Sequence, residues 1–124
     1  MTIRAKTNIM NSVRNQVRLI GNLGQDLELK TFESGSKIVK LNIATNEYYT
    51  NQKGERVEET QWHSVVAWNK TADLMNNLLK KGDMIAIDGK LVHRTYEDTT
   101  GAKRSVSEVV ASSFVKLNRT EKEN

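Results

Sequence analysis

Thr60-Gln61-Trp62-His63-Ser64-Val65-Val66-Ala67-Trp68 holds both tryptophans of the chain, six residues apart. Successive side chains of a strand point to opposite faces. Read as a strand, the segment puts Thr60, Trp62, Ser64, Val66 and Trp68 on one face. Gln61, His63, Val65 and Ala67 take the other, plainer face. The first face carries two large rings with short side chains between them. Two readings follow. Tryptophan is usually packed, so this face can be core. It can also be a flat platform on which a planar group stacks.

Upstream, Val17 and Leu19 alternate with Arg18 and Ile20, and Leu27, Leu29 and Thr31 alternate with Glu28 and Lys30. Gly21-Asn22-Leu23-Gly24 bends the chain between them, because Gly and Asn tolerate positive φ. After a turn at 33–36, Val39, Leu41, Ile43 and Thr45 alternate with Lys40, Asn42, Ala44 and Asn46, giving a strand with one buried face. Residues 50–59 read as a polar hairpin loop centred on Gly54, entered by Tyr48 and Tyr49 and left by Trp62.

Downstream, Asn69 is an N-cap candidate for a helix over 70–81. Ala72, Met75, Leu78 and Leu79 form its apolar stripe. Lys80 and Lys81 fall in its last turn, favourably for the dipole, and Gly82 is a C′ residue. A strand over 83–96 puts Ile85, Ile87, Gly89 and Leu91 on one face. Residues 98–101 turn the chain. A last strand over 103–117 has Val109, Ala111, Ser113, Val115 and Leu117 in register. Three strands, one short helix and two strands give an all-β, five-stranded OB-fold barrel with the helix between strands 3 and 4.

With 124 residues the chain is one domain with enough length for a core. We divide it into a basic arm at 1–12, the OB-fold domain at 13–117 and a polar tail at 118–124. Across residues 1–18, Arg4, Lys6, Arg14 and Arg18 meet no acid. No apolar run approaches the roughly 20 residues of a membrane span, and no secretory leader is visible, so a cytoplasmic protein is expected. The absence of cysteine excludes disulfides and thiolate metal sites. A net charge of +4 and a pI near 9.4 lean towards an anionic partner.

Catalysis has little to draw on. His63 and His93 are the only histidines and lie 30 residues apart. Local spacing sets no second acid beside Asp88 for acid–base work. Gly21-x-x-Gly24 precedes a strand, so no helix start is there to hold phosphate. No enzyme activity, metal or cofactor is expected.

Binding of single-stranded nucleic acid has more. Such sites combine a basic groove with rings that stack bases. The seven aromatics are Phe32, Tyr48, Tyr49, Trp62, Trp68, Tyr96 and Phe114. Arg94 and Tyr96 share a strand face, Lys70 follows Trp68 by two, and Lys53 and Arg56 lie between Tyr49 and Trp62. Phe32 and Phe114 lack basic company and read as core.

Several segments now combine, in order. They are 17–26 (Val-Arg-Leu-Ile-Gly-Asn-Leu-Gly-Gln-Asp), 42–47 (Asn-Ile-Ala-Thr-Asn-Glu) and 60–66 (Thr-Gln-Trp-His-Ser-Val-Val). Leu79-Lys80-Lys81-Gly82, Ile87-Asp88-Gly89-Lys90-Leu91 and Glu108-Val109-Val110 follow. Over about residues 15–117 the chain closely resembles the bacterial single-stranded DNA-binding protein family. The resemblance implies an OB-fold homotetramer that coats single-stranded DNA without sequence preference in replication, repair and recombination. It implies base stacking by Trp62, Trp68, Tyr49 and Tyr96, the last two being tyrosines where relatives carry tryptophan. It implies DNA contacts from Lys70, Arg94 and Lys81, and a subunit-interface role for His63. Lys53 and Arg56 add loop cations. Family members usually continue into a tail with an acidic, apolar tip that docks replication and repair enzymes. This sequence ends seven residues after Leu117 without such a tip, as a truncation, short paralogue or mobile-element copy would, so tail-docked partners are not expected. A primosome-type assembly module binding mainly proteins is the competing reading, and an RNA-binding OB domain a third.

Overall fold

The computed structural model describes residues 13–117. The expected basic arm at 1–12 and polar tail at 118–124 lie outside the described residues. The elements are β1 (Val17–Leu23), β2 (Glu28–Thr31), β3 (Lys37–Thr50), β4 (Arg56–Trp68), α1 (Asn69–Leu78), β5 (Met84–Glu97) and β6 (Lys103–Lys116).

β1 and β2 are two pieces of one curved strand. β1 pairs with β5 from Val17↔Gly89 to Asn22↔Met84, and its end, Asn22 and Leu23, reaches β3. β2 then continues along β3. A short parallel pairing, Val65↔Val109 and Val66↔Val110, joins β4 to β6 and closes the barrel. Counted this way there are five strands, with α1 between the third and fourth. That is the OB-fold expected from the element order.

The core follows the period-two pattern. Val39, Leu41 and Ile43 of β3 and Val65 and Ala67 of β4 are buried, with Ile85 and Ile87 of β5 and Val109 and Ala111 of β6 opposite. α1 plugs the barrel with Ala72 and Met75, both fully buried.

The structure corrects four local expectations. First, α1 stops at Leu78, and Leu79 is already extended with φ −110° and ψ 149°. Leu79 is buried, while Leu78 is exposed and leaves the apolar stripe. Lys80 and Lys81 therefore lie beyond the helix, in a turn where Asp83 N–H donates to the Lys80 carbonyl at 3.1 Å. Second, Asn69 does not cap α1. Its backbone is left-handed (φ 52°), and its side-chain oxygen accepts from Lys37 N–H at 3.0 Å, tying the helix start to β3.

Third, the hairpin between β3 and β4 is almost all strand. Only residues 51–55 form the tip, where the Asn51 side-chain oxygen accepts the N–H groups of Lys53 and Glu55, both at 2.9 Å. Arg56 is a strand residue.

Fourth, β6 does not keep one register. Asp88 pairs with Ser113 but Gly89 with Ala111, so Ser112 is an extra residue, a β-bulge. Gly89 is needed here because a Cβ on it would run into the Val110 carbonyl oxygen. Past the bulge, Phe114 turns onto the core, as the sequence suggested, whereas Val115 and Leu117 are exposed.

Candidate nucleic-acid interface

β3 and β4 pair without interruption from Ile38↔Trp68 to Thr50↔Arg56. Alternation along this ladder puts Trp62, Ser64, Val66 and Trp68 on the outer face. Trp62 is 62% exposed and Trp68 41%, so neither ring belongs to the core. The core reading of the two rings is therefore set aside, and both stand on the surface.

Each ring has a defined seat. The six-membered ring of Trp62 lies against Gly24, whose N–H donates to the Asn42 carbonyl at 2.9 Å. Trp68 stacks on Phe32, with centroids 6.2 Å apart and planes inclined by 24°. Lys30 Nζ stands 5.3 Å from the Phe32 centroid. Phe32 is therefore not a core residue but a half-exposed part of the platform. Lys30 and Phe32 stand two apart, and this same-face spacing was legible in the sequence.

A groove runs from this pair across the barrel face. Lys30, Phe32, Lys40, Trp68, Arg94 and Glu108 line its first part. Lys40, Arg94 and Glu108 also line the second part, which passes Asn42 and Ser64 and reaches Gln25 and Asp26. Arg94 Nε donates to Glu108 Oε1 at 2.9 Å. That hydrogen bond, and the carboxylate charge behind it, raise the Arg94 pKa further and keep it cationic. The Arg94 guanidinium also stands 5.9 Å from the Tyr96 ring, and Tyr96 is half exposed. Trp68, Arg94 and Tyr96 are thus brought together.

Other expected residues sit at the margins. Lys70 lies in the first turn of α1 and is exposed. The backbone N–H of exposed Lys81 donates to Asp26 Oδ1 at 2.7 Å, beside the far end of the groove. Lys53 is at the hairpin tip. The Arg56 guanidinium lies 4.4 Å from the Tyr48 ring, and Tyr48 OH donates to Glu58 Oε2 at 3.3 Å. Tyr48 pairs with Glu58 and shares the tryptophan face. Tyr49 pairs with Val57 and falls on the opposite face with His63, although it too is exposed. His63 is half-buried and shares a 2.9 Å hydrogen bond between its Nε2 and Thr45 Oγ1. Sequence reasoning passed over Lys30, Phe32, Lys40, Tyr48 and Glu108. No group of His, Asp or Glu among the described residues could hold a metal ion.

The surface offers aromatic faces, fixed cations and an open channel. The comparisons agree with that chemistry. Residues 14–117 match the model of the single-strand binding protein family. The chain is 39% identical over 104 residues to single-stranded DNA-binding protein 1 of Chlorobaculum tepidum, covering 83% of this chain and 64% of that protein. It is 33% identical over 103 residues to a single-stranded DNA-binding protein of Neisseria meningitidis, covering 83% and 59%. It therefore spans less than two thirds of either relative. Among solved structures, a variant of the Thermus aquaticus single-stranded DNA binding protein superposes with a TM-score of 0.76 at 32% identity, covering 84% of this chain and 50% of that one. The Plasmodium falciparum SSB in complex with ssDNA superposes with a TM-score of 0.78 at 25% identity, covering 84% and 95%. Fold, platform and matched segments agree, and the chain belongs to the single-strand binding protein family.

Proposed function

We propose that the protein binds and coats single-stranded DNA without sequence preference and without catalysis, in DNA replication, repair and recombination. The observation that carries this is the exposure of both tryptophans on the outer face of β4, beside a groove with Lys30, Lys40 and Arg94. Relatives named as single-stranded DNA-binding proteins support it.

In this reading Trp62, Trp68 and Tyr96 stack bases, Phe32 backs Trp68, and Tyr49 offers its ring from the opposite face of the β3–β4 hairpin. Base–aromatic stacking contributes about 1–3 kcal/mol per base and tolerates any sequence, since every base has a π-face. Arg94, Lys70, Lys81, Lys53 and Arg56 neutralise phosphates. We also infer a cytoplasmic, nucleoid-associated homotetramer with His63 at a subunit interface. An apolar outer face supports assembly: Ile20, Met84, Val115 and Leu117 are exposed on neighbouring strands β1, β5 and β6 and at the end of β6.

Titration with oligo-dT, followed by tryptophan fluorescence at low and high salt, tests the binding. Quenching is expected. The log–log dependence of affinity on salt should have a slope of about −0.7 per phosphate neutralised, with poly-U a poor competitor. Unquenched fluorescence, or salt-independent affinity, would overturn the reading. Sedimentation velocity tests the tetramer.

A further inference from the structure

An acid lies in the middle of the groove proposed to hold DNA. The Glu108 side chain is only 11% exposed, while that of its partner Arg94 is 48% exposed. A carboxylate there repels a polyanion, so its presence needs a reason beyond charge.

The geometry supplies one. Glu108 sits on β6 opposite Val92, and Arg94 on β5 opposite Val106, so the two make a diagonal pair across the ladder. Glu108 Oε1 takes only the Nε–H of Arg94, at 2.9 Å. Arginine has five N–H donors in a rigid planar fork. With Nε held from below, the terminal amino groups are left for another acceptor, and the plane is fixed close to Tyr96.

We propose that Glu108 is a positioning residue. It orients the Arg94 guanidinium so that its terminal N–H groups meet a DNA phosphate while the base beside that phosphate reaches Tyr96. This rests on the single-stranded DNA reading above. Glu108 touches no DNA itself, and removing its reach weakens binding even though its charge is unfavourable to the ligand.

Glu108→Asp separates reach from charge, since it keeps the carboxylate but retracts it by one methylene. The probe is a fluorescently labelled oligo-dT, and the readouts are anisotropy and the salt slope for the full chain. In the wild-type background Glu108→Asp should weaken binding about three- to tenfold, the scale of one ordinary hydrogen bond, because the misaligned guanidinium keeps part of its attraction to the phosphate. It should also flatten the log–log salt slope by about 0.7. In an Arg94→Ala background it should do neither. Unchanged or tighter binding by Glu108→Asp overturns the proposal, and so does an equal loss in both backgrounds. If that variant does not fold, Glu108→Gln decides, because it keeps the acceptor and drops the charge. Affinity within about threefold of wild type supports positioning, and any larger change in either direction overturns it. Failure of the wild type to bind oligo-dT would instead overturn the functional reading.

Discussion

Trp62 and Gly24 occupy one another's space: a Cβ built on Gly24 would fall 2.5 Å from Cζ3 and 2.9 Å from Cη2 of the indole. A residue in the bend of the first strand therefore sets how the third strand presents its ring. Gly24→Ala should leave the barrel folded, since the atom it meets is the far end of a side chain. It should tilt Trp62 away from its seat and remove part of the roughly 1–3 kcal/mol stacking contribution. Oligo-dT titration checks this, and in a Trp62→Ala background the Gly24→Ala change should add almost nothing.

The Phe32–Trp68 stack predicts a separation of stability from binding. A buried phenylalanine cut to alanine costs about 3–5 kcal/mol of stability. Phe32 is half exposed, so Phe32→Ala should cost far less in urea unfolding. It should shift Trp68 emission to the red and weaken oligo-dT binding by about 1 kcal/mol. A large loss of stability with unchanged binding would put Phe32 back in the core.

Met75 shows the opposite balance. It is fully buried, and it is the largest side chain with which α1 fills the barrel. Met75→Ala should destabilise by about 2–5 kcal/mol through lost burial and the cavity left behind. Chemical denaturation measures this. Oligo-dT affinity of the folded fraction should not change.

At the β5–β6 hairpin tip, Asp98 accepts from Thr100 Oγ1 at 2.6 Å, Thr100 N–H at 2.9 Å and Arg104 Nε at 2.9 Å. The Thr100 and Arg104 hydrogen bonds lower its pKa to about 2. A depressed native pKa stabilises the fold fully above the ordinary aspartate range, near 4, and loses that contribution as pH falls through about 2. Acid unfolding of Asp98→Asn should therefore be less steep over this window. The Asp98 carboxyl carbon should titrate near pH 2 by NMR.

Alternation made the strand faces readable, and where a ladder runs unbroken the reading held: Val65 and Ala67 face in, Trp62 and Trp68 the other way. Which side was core could not be read from the tryptophan segment alone, because alternation is symmetric. That depends on β6, which pairs with β4 from more than 40 positions away along the chain. Tyr48 and Tyr49 show a related gap. Family position points to Tyr49, but only the register says that Tyr48 is the one beside the tryptophans. The helix end was misjudged because two lysines and a glycine fit a helix C-terminus as well as they fit the turn that buries Leu79. Glu108 went unnoticed because its partner, 14 residues away, is set by the hairpin and not by any local motif.

The extra residue at Ser112 gives β6 two reading frames. Before it, odd-numbered side chains such as Val109 and Ala111 point inward, and after it the even-numbered Phe114 does. Length changes in this strand are therefore unequal in effect. One residue inserted at the tip near Gly101 only enlarges a turn. One residue deleted at Ser112 removes only the bulge: Ala111 stays opposite Gly89, Ser113 stays opposite Asp88, and both Ala111 and Phe114 still face the core. The barrel can absorb variation where its hairpins end and, by giving up the local bend, at the point where its last strand changes phase.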